Sequence, residues 1–260
     1  MSSTQISIVG TGNIAWHLVQ MFCNAGLQIQ HIYGLEFKKA SALANICNAT
    51  AKQLKTENSE SNNSIVFFAV ADDAIREVAS TFNVEEIVSV HVSGAVESKV
   101  LHFEKNQFGV YYPLQSFSKE VHTNYNVIPV CIVAQDKQVE LMLIEIANKI
   151  SNSVCTISDA QKSKLHLAAV IVNNFTNFLY GEAFRIIEEA GLEKNILFSL
   201  MQETIEKLRI GSPAEMQTGP ARRGDVNTMQ KHHALLKSNP ELMKLYDVLS
   251  NSIQNKFLDN

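Results

Sequence analysis

The pattern of hydrophobic positions divides the chain into two parts. Up to about residue 154, short β-branched runs alternate with helical patterns, as in the βαβ units that build a parallel sheet. Beyond this point the alternation stops and the pattern is helical to the end. We therefore predict a doubly wound parallel α/β domain over residues 1–154 and an all-helical domain over residues 155–260. The predicted strands are residues 6–9, 28–33, 65–70, 87–92, 109–112 and 128–133.

The second part opens with a clear helix start. Ser158 is followed three residues later by Gln161, which is the arrangement of a capping box. The helical pattern continues to about Ala190, where Gly191 suits a C-terminal cap, so the helix has roughly 30 residues and a length of about 45 Å. Further helices are predicted over residues 193–209, from Asp225 as N-cap to about residue 237, and over residues 239–256.

Composition narrows the possible partners. The 260 residues include 46% hydrophobic and 18% charged residues, with a formal net charge of -4. This mildly acidic total gives no electrostatic reason to expect nucleic acid or an anionic membrane as the main partner. The longest strongly apolar run, residues 65–71, is far shorter than the roughly 20 residues of a bilayer span, and the opening lacks the basic and apolar regions of a signal peptide. We expect a cytoplasmic protein.

The cysteines do not form a recognisable motif. Cys23, Cys47, Cys131 and Cys155 are scattered, and no Cys-x-x-Cys pair occurs. This spacing indicates neither a zinc site nor a disulfide framework. We expect reduced thiols in the core and no bound metal.

A glycine-rich loop follows the first predicted strand directly and opens the first helix. Gly10 permits a tight turn, Gly12 lets a pyrophosphate approach bare backbone, and the helix N-terminus offers free N–H groups to phosphates. The alternative is a loop whose glycines only make a tight turn. Because the loop lies between strand and helix in a βαβ unit, we predict a dinucleotide site formed by Gly10, Thr11, Gly12, Asn13 and Ile14.

The ends of the next strands predict further cofactor contacts. After the second strand, Glu36 could hold an adenosine ribose, whereas Lys38 and Lys39 could hold a 2′-phosphate. The alternative is that all three are solvated surface charges. At the end of the third predicted strand, the backbone of Val70 and Ala71 is expected to contact the cofactor, since strand ends form the ligand crevice of open α/β sheets.

Two other strand-end segments carry polar groups. Asp72 and Asp73 follow a strand, and one of these aspartates is expected to cap a helix. Ser93 and Gly94 end a strand on the same edge, where a hydroxyl and a bare backbone can donate to a substrate carboxylate or carbonyl; the alternative is a turn. His91 closes a buried strand and is either a satisfied structural group or a reactive one.

The long helix carries an unusual polar stripe. No formally charged residue occurs between Leu165 and Gly181, yet His166, Asn173 and Asn177 are present. At about 100° per residue these three side chains share one narrow stripe. We predict that His166 and Asn173 act in catalysis, with His166 supplying a proton, and that Asn177 holds the substrate. A polar subunit contact is the alternative.

A loop near the C-terminus presents two arginines. It comprises residues 218–225, with glycines and a proline before the predicted N-cap Asp225. We predict that Arg223 binds a carboxylate or phosphate of the substrate. The alternative is that Arg223 pairs with Asp225 and stiffens the turn.

Several motifs together resemble one family. The match runs in order from Ile6 to about Tyr246, and the chain is similar to proteins assigned as NADP oxidoreductases, in which a Rossmann-like domain precedes a C-terminal helical domain of uncharacterised function. The last three motifs are specific to that family. The motifs are Gly10-x-Gly12-x-x-Ala15, Val70-x-Asp72-Asp73-x-Ile75, His91-x-Ser93-Gly94, Tyr112-Pro113-Leu114-Gln115-x-Phe117, His166-x-Ala168-Ala169-Val170-x-x-Asn173-Asn174-Phe175 and Thr218-Gly219-Pro220-x-x-Arg223-Gly224-Asp225.

The resemblance implies a helical domain of the 6-phosphogluconate dehydrogenase kind, a homodimer and an active site between domains. More distantly the layout is similar to pyrroline-5-carboxylate reductase, ketopantoate reductase and β-hydroxyacid dehydrogenases. In those relatives a lysine on the long helix is the usual proton donor, and His166 occupies the comparable region here. Two residues depart from the family pattern. Leu35 stands where many members have arginine, which leaves NAD possible beside NADP, and Ala71 stands where many have proline.

These observations lead to one main hypothesis and two alternatives. The main hypothesis is an NADP-linked oxidoreductase that transfers hydride between nicotinamide and a C=O or C=N group of a small, anionic metabolite. The first alternative is a nucleotide-binding or redox-sensing module without turnover. The second is a hydride exchanger with another bound cofactor of the deazaflavin type.

Overall fold

A computed structural model describes residues 5–55, 57–60 and 64–257 of the chain. The first four residues, which entered the prediction about a signal peptide, lie outside the described part. One eight-stranded sheet with the order β3-β2-β1-β4-β5-β6-β7-β8 forms the centre of the first half. The strands are β1 (Ile6–Val9), β2 (Ile29–Gly34), β3 (Thr50–Gln53), β4 (Ser64–Phe68), β5 (Ile87–His91), β6 (Gln107–Pro113), β7 (Val130–Ala134) and β8 (Val154–Thr156).

All six predicted strands are confirmed, but the sheet is not parallel throughout. Strands β1 to β6 run parallel, whereas β7 runs antiparallel to β6 and β8 runs parallel to β7. The reason is that residues 114–129 join β6 to β7 without the α-helical crossover that a parallel connection requires. Strands β3 and β8 were not predicted, because they are short edge strands with few apolar residues.

Side chains of the sheet alternate between two buried layers. Ile8 and Phe67 face the layer that packs on α1 (Asn13–Asn24) and α4 (Lys137–Asn148), whereas Val9 and Phe68 face the opposite layer near α3 (Ile75–Ala79). This alternation follows from the two-residue period of a strand, and hydrophobic burial on both faces explains the continuous apolar runs. The helices of this half are α1 (Asn13–Asn24), α2 (Phe37–Cys47), α3 (Ile75–Ala79) and α4 (Lys137–Asn148).

The second half is helical, as predicted. The long helix begins with the expected capping box, in which the Gln161 N–H donates to Ser158 Oγ at 3.2 Å, and Gly191 after its end has a φ of +73°. A π-helical segment, Val170–Phe175, separates its two α-helical parts. The helices are α5 (Asp159–Ala169), α6 (Thr176–Glu189), α7 (Phe198–Lys207), α8 (Pro213–Met216), α9 (Pro220–Arg223), α10 (Val226–Leu235) and α11 (Pro240–Phe257).

Contacts group the chain into two compact units, Met1–Asn174 and Phe175–Asn260. The boundary falls inside the π-helical segment, so α5 belongs with the sheet, whereas the sequence analysis places the domain boundary at residue 154. In the second unit, α9 packs against α10 and α11. None of the helices in the described ranges is long and apolar enough to cross a membrane. The described residues also contain no group of three or more His, Cys, Asp or Glu side chains placed to hold a metal ion.

Candidate functional site

The glycine-rich loop brings the backbone of Gly10 into close contact with the backbone of Ala69, a crossing of two backbone segments. Gly10 has a φ of +124°, its N–H donates to the Tyr33 carbonyl at 2.9 Å, and a Cβ at this position would lie 2.1 Å from the Ala69 carbonyl oxygen. Gly12 is the N-cap of α1, where no side chain caps the helix, and a Cβ there would meet no atom within 4 Å. The loop therefore needs glycine at residue 10 for its own geometry, and it leaves open space and free N–H groups at residue 12.

A cavity of about 460 Å³ lies over this loop at the carboxyl ends of β1, β2 and β4. Glu36 and Lys39 line its outer end and form an exposed ion pair of 2.6 Å, while Leu35 is 77% exposed. Lys38 is exposed and does not line the cavity. Of the predicted cofactor residues, those that do line it are Gly10, Thr11, Gly12, Ile14, Glu36, Val70 and Ala71.

A second cavity of about 450 Å³ continues from the first one, with which it shares Ile14 and Val70. It brings further predicted site residues from three separate segments together. These residues are Asn13, Ser93, Gly94 and His166, and they lie beside Asp72, Tyr112 and Gln115. The glycine-rich loop and the predicted proton donor therefore border one continuous groove within the first unit.

His166 packs tightly against the end of β6. Its Nδ1 lies 3.3 Å from Tyr112 Oη. A Cβ on Gly94 would come within 2.6 Å of both His166 Nδ1 and Tyr112 Cζ, so only glycine fits between these two rings. Burial raises the pKa of Tyr112, which keeps its phenol protonated. The His166–Tyr112 pair is thus held by the turn at the end of β5.

A third cavity of about 510 Å³ lies on the other side of this pair. It shares Tyr112, Gln115 and His166 with the second cavity and adds Asn173 and Asn174. The i→i+5 bonds of the π-helix widen the turn beyond 3.6 residues, so the two successive asparagines line the same cavity. The structure therefore joins His166 and Asn173 as predicted, and it adds Asn174.

Two predicted substrate residues belong to the second unit. Asn177 is exposed in the first turn of α6, and Arg223 is exposed at the end of α9. The predicted loop around Arg223 therefore contains a one-turn helix. The carboxylate of Asp225 caps α10 as expected and accepts from the Thr228 N–H at 3.0 Å and the Thr228 hydroxyl at 2.8 Å.

The turn after β5 is held by its own polar groups. Ser93 Oγ accepts from the N–H groups of Ala95 and Val96, which is the turn role that the sequence left open. His91 is fully buried, accepts from the Ser93 N–H at Nδ1 and donates from Nε2 to the Glu97 carbonyl at 3.3 Å. Burial lowers the pKa of His91 to about 4, so it is a neutral structural group.

The structure also decides the role of Asp72 in its turn. The prediction that Asp72 or Asp73 caps a helix is wrong, because residues 72–74 form a 3-10 turn in which no side chain accepts a capping bond. The tight turn after β4 leaves Asp72 at the edge of the second cavity instead.

Sequence analysis missed a buried lysine beside this turn. Lys162 on α5 has no solvent exposure, and its Nζ donates to the carbonyls of Ser93 and Val96. Asp159 lies 3.7 Å from Nζ and also accepts from the Ser98 N–H and hydroxyl at 2.9 and 2.6 Å. Burial lowers the pKa of Lys162, while Asp159 opposes this shift. This lysine clamps the turn to the helix and does not line any of the three cavities.

Tyr112 could have been found from the sequence, because it ends a predicted strand on the same sheet edge as Ser93. Asn174 could not, because a regular α-helical period places it away from His166. Lys162 lies one turn after a helix start, where a lysine is ordinarily solvated, and only the packed turn reveals its role.

Comparison with known proteins defines the class. Residues 5–93 match a family described as NADP oxidoreductase, coenzyme F420-dependent, and residues 128–253 match a domain of unknown function. A Bacteroides fragilis protein described as a "putative NADP oxidoreductase" is 29% identical, with a TM-score of 0.88 over 97% of this chain and 98% of that one. No protein among the curated ones matches the sequence.

Two more distant structures share the fold. A pyrroline-5-carboxylate reductase from Coxiella burnetii is 16% identical, with a TM-score of 0.55 over 99% of this chain and 98% of that one. A reductive aminase from Aspergillus terreus, in complex with NADPH and ethyl-5-oxohexanoate, is 10% identical, with a TM-score of 0.69 over 98% and 95% of the two chains.

The fold and the glycine-loop cavity define a NAD(P)-dependent oxidoreductase. More particularly, the chain joins a domain of the NADP oxidoreductase kind over residues 5–93 to the domain of unknown function over residues 128–253, the combination that its motifs suggested.

Proposed function

We propose that the protein transfers hydride between NADP and a C=O or C=N group of a small metabolite in the groove beside His166. The observation that carries this proposal is the continuity of the first two cavities through Ile14 and Val70. A dinucleotide bound over the glycine-rich loop would have its far end in the second cavity. The catalytic group and the reacting atoms would then share one site.

The residues present fit the cofactor. The loop has open space at Gly12, uncapped N–H groups at the start of α1 and an ion pair of Glu36 with Lys39 at the adenosine end. When bound, the nicotinamide supplies or accepts the hydride. NADP is favoured by the family description and by the NADPH complex of the fold relative, while Glu36 keeps NAD possible.

His166 is the proposed proton donor, and Tyr112 is the residue that positions it. In either protonation state of the imidazole, Nδ1–H can donate to Tyr112 Oη, which leaves Nε2 to carry the transferable proton. Because the pKa of Tyr112 is raised, its phenol stays neutral and no phenolate forms beside the imidazole. Asn173 completes the proposed catalytic set from the adjoining cavity.

Amide and hydroxyl groups are the proposed substrate ligands. Ser93, the Gly94 backbone and Asn177 would hold the polar part of the substrate. The residues that line the second and third cavities include no lysine or arginine, so the proposed anionic group depends on Arg223. Asn177 and Arg223 belong to the second unit, and Arg223 would act in the groove of a second copy of the chain.

We also propose a homodimer built by the second unit. The described residues of α6 and α7 include none that is buried, although both helices carry many apolar side chains. A second copy of the chain would cover this surface.

A titration followed by a substrate screen tests the proposed function. Quenching of protein fluorescence should show saturable binding of NADPH and NADH to the purified chain. Carbonyl and imine compounds, with and without a carboxylate, are then screened for loss of NADPH absorbance, with a deazaflavin as a separate arm. Binding without turnover of any compound would favour the nucleotide-sensing alternative, and turnover of the deazaflavin alone would favour hydride exchange.

A further inference from the structure

The four cysteines, scattered in the sequence, lie in two pairs in the structure. Cys131 on β7 and Cys155 on β8 are partners in the parallel register, and their sulfur atoms are 3.5 Å apart. Cys23 on α1 neighbours Cys47 on α2, and burial together with the Cys47 thiol raises the pKa of Cys23 to about 12. All four are free thiols in this structure.

The geometry of the first pair permits a disulfide. Neighbouring strands lie about 4.7–4.9 Å apart, which is within the Cα separation of roughly 4.4–6.8 Å that disulfides span. Partners in register project their side chains to the same face, so the two sulfurs need only approach by roughly 1.5 Å to reach bonding distance. Side-chain rotation can supply this movement without displacing the strands.

The two thiols of this pair differ in access. Cys155 is exposed on the edge strand, whereas Cys131 is buried in the cluster that includes Tyr112 and Leu165. Burial raises the pKa of Cys131 to about 12, so this thiol does not react first. An oxidant from solvent would meet Cys155, with Cys131 already in contact behind it.

We propose that Cys131 and Cys155 are a dithiol that hydroperoxides oxidise to a disulfide. The sulfur of Cys155 attacks one peroxide oxygen and the O–O bond breaks, so Cys155 becomes a sulfenic acid. The other oxygen takes the thiol proton and leaves as an alcohol or water. The sulfur of Cys131 then attacks that of Cys155, the S–O bond breaks, and the Cys131 proton leaves with the hydroxyl as water. Two thiols thus lose two electrons to one peroxide.

This modification site borders the candidate active site. Cys131 pairs with Tyr112 across the antiparallel strands, and Tyr112 Oη contacts His166 Nδ1. The row Cys155, Cys131, Tyr112 and His166 therefore continues from the sheet edge to the proposed proton donor. Moving the Cys131 sulfur towards Cys155 would loosen the packing of Tyr112 against the proposed proton donor. The effect on catalysis rests on the proposed function, whereas the formation of the disulfide does not.

Peptide mapping after peroxide treatment tests the disulfide. Trypsin separates all four cysteines, because Lys38, Lys52, Lys137 and Lys149 lie between them. One equivalent of hydrogen peroxide should link peptide 120–137 to peptide 150–162 with the loss of two hydrogen atoms, and a thiol reductant should reverse the link. The link should be absent in Cys155→Ser and unchanged in the control Cys23→Ser. A link between the Cys23 and Cys47 peptides instead, or an oxidised Cys155 that stays unlinked, would overturn the proposal.

A second measurement follows the effect on the site without cofactor or turnover. The imidazole resonances of His166, assigned with His166→Gln, should shift on oxidation of the parent and stay constant in Cys155→Ser. If the disulfide forms while these resonances do not move, the connection to the candidate site is overturned, whatever the outcome of the cofactor and substrate tests.

Discussion

Two glycines of one loop meet different constraints, and substitutions should separate them. Gly12→Asp places a side chain and a negative charge where the pyrophosphate would bind, so it should weaken NADPH binding by about a hundredfold or more. Because this position is open, the melting temperature should change little. Gly10→Ala brings a methyl group against the Ala69 carbonyl at a φ of +124°, so it should lower stability by at least about 2 kcal/mol.

Fluorescence titration and thermal unfolding of both variants measure the two effects. A Gly12→Asp variant that binds NADPH like the parent would remove the glycine loop from the cofactor site. A Gly10→Ala variant with parental stability would contradict the backbone crossing.

The His166–Tyr112 pair makes a prediction about rate. His166→Ala should lower turnover by about 10²- to 10⁴-fold and leave NADPH affinity nearly unchanged, because general acid catalysis acts on the reaction and not on cofactor binding. Tyr112→Phe removes only the hydroxyl that positions Nδ1, so it should have a smaller effect and alter the pH profile of turnover. Steady-state kinetics with the substrate from the screen provide the measurement. Full activity of His166→Ala would assign the helix stripe to structure.

His91 predicts a pH dependence of stability. In the unfolded chain its imidazole titrates near 6.5, whereas burial holds its pKa at about 4 in the folded protein. Between these values the unfolded state binds more protons, so stability falls as the pH is lowered from 6.5 to 4, by up to about 3 kcal/mol. Urea unfolding of the parent and of His91→Gln across this range should show a flatter dependence in the variant, and parallel curves would contradict the assignment.

At the scale of elements, the turn between β5 and the following segment depends on a helix far away in sequence. Lys162 and Asp159 of α5 bond the backbone of residues 93–98, which is the turn that supports Gly94 against His166. The amino group is committed to carbonyl oxygens. Lys162 thus has a positioning role at this turn, whereas His166 lines the groove itself.

We expect the junction of β2 and α2 to set the preference between NADPH and NADH. Lys39 lines the cavity but is paired with Glu36, so the net charge offered to a 2′-phosphate is close to zero. Glu36→Gln should therefore raise the preference for NADPH over NADH by about tenfold, and Lys39→Ala should lower it by a similar factor. Lys38→Ala is the matched control, because Lys38 lies outside the cavity lining. The ratio of dissociation constants measures the effect, and a larger change in Lys38→Ala would return the phosphate contact to that residue.

For the whole molecule, the exposed apolar surface of α6 and α7 predicts a dimer. Phe178, Leu200 and Ile205 are 57%, 59% and 54% exposed, which is unusual for consecutive helices of one unit. Light scattering should give about twice the chain mass of 28.9 kDa at micromolar concentration.

Matched variants locate the interface. Leu200→Glu should dissociate the dimer, whereas Leu141→Glu on α4, where the leucine is 56% exposed, should not. A parent that scatters as a monomer would end the dimer proposal, together with a role for Arg223 in a partner's groove.

Sequence alone determined the class of fold and the place of the glycine-rich loop. Local patterns carry this information: the strand period, the glycines between β1 and α1, and the capping groups Ser158 and Asp225 all act within a few neighbouring residues. Local patterns do not predict the direction of β7, because that direction depends on a connection without a crossover helix. The short edge strands β3 and β8 were also missed, because they have too few apolar residues to make a pattern.

Only the tertiary structure decided which side chains meet. It joined His166 of α5 to Tyr112 of β6, and it joined Cys131 to Cys155 across two neighbouring strands. The π-helical segment turned Asn174 into the same cavity as Asn173, against the regular helix period. Lys162 can be buried because backbone carbonyls of a distant turn accept the hydrogen bonds that its amino group would otherwise donate to water. These bonds arise from packing between two segments, so neither segment alone predicts them.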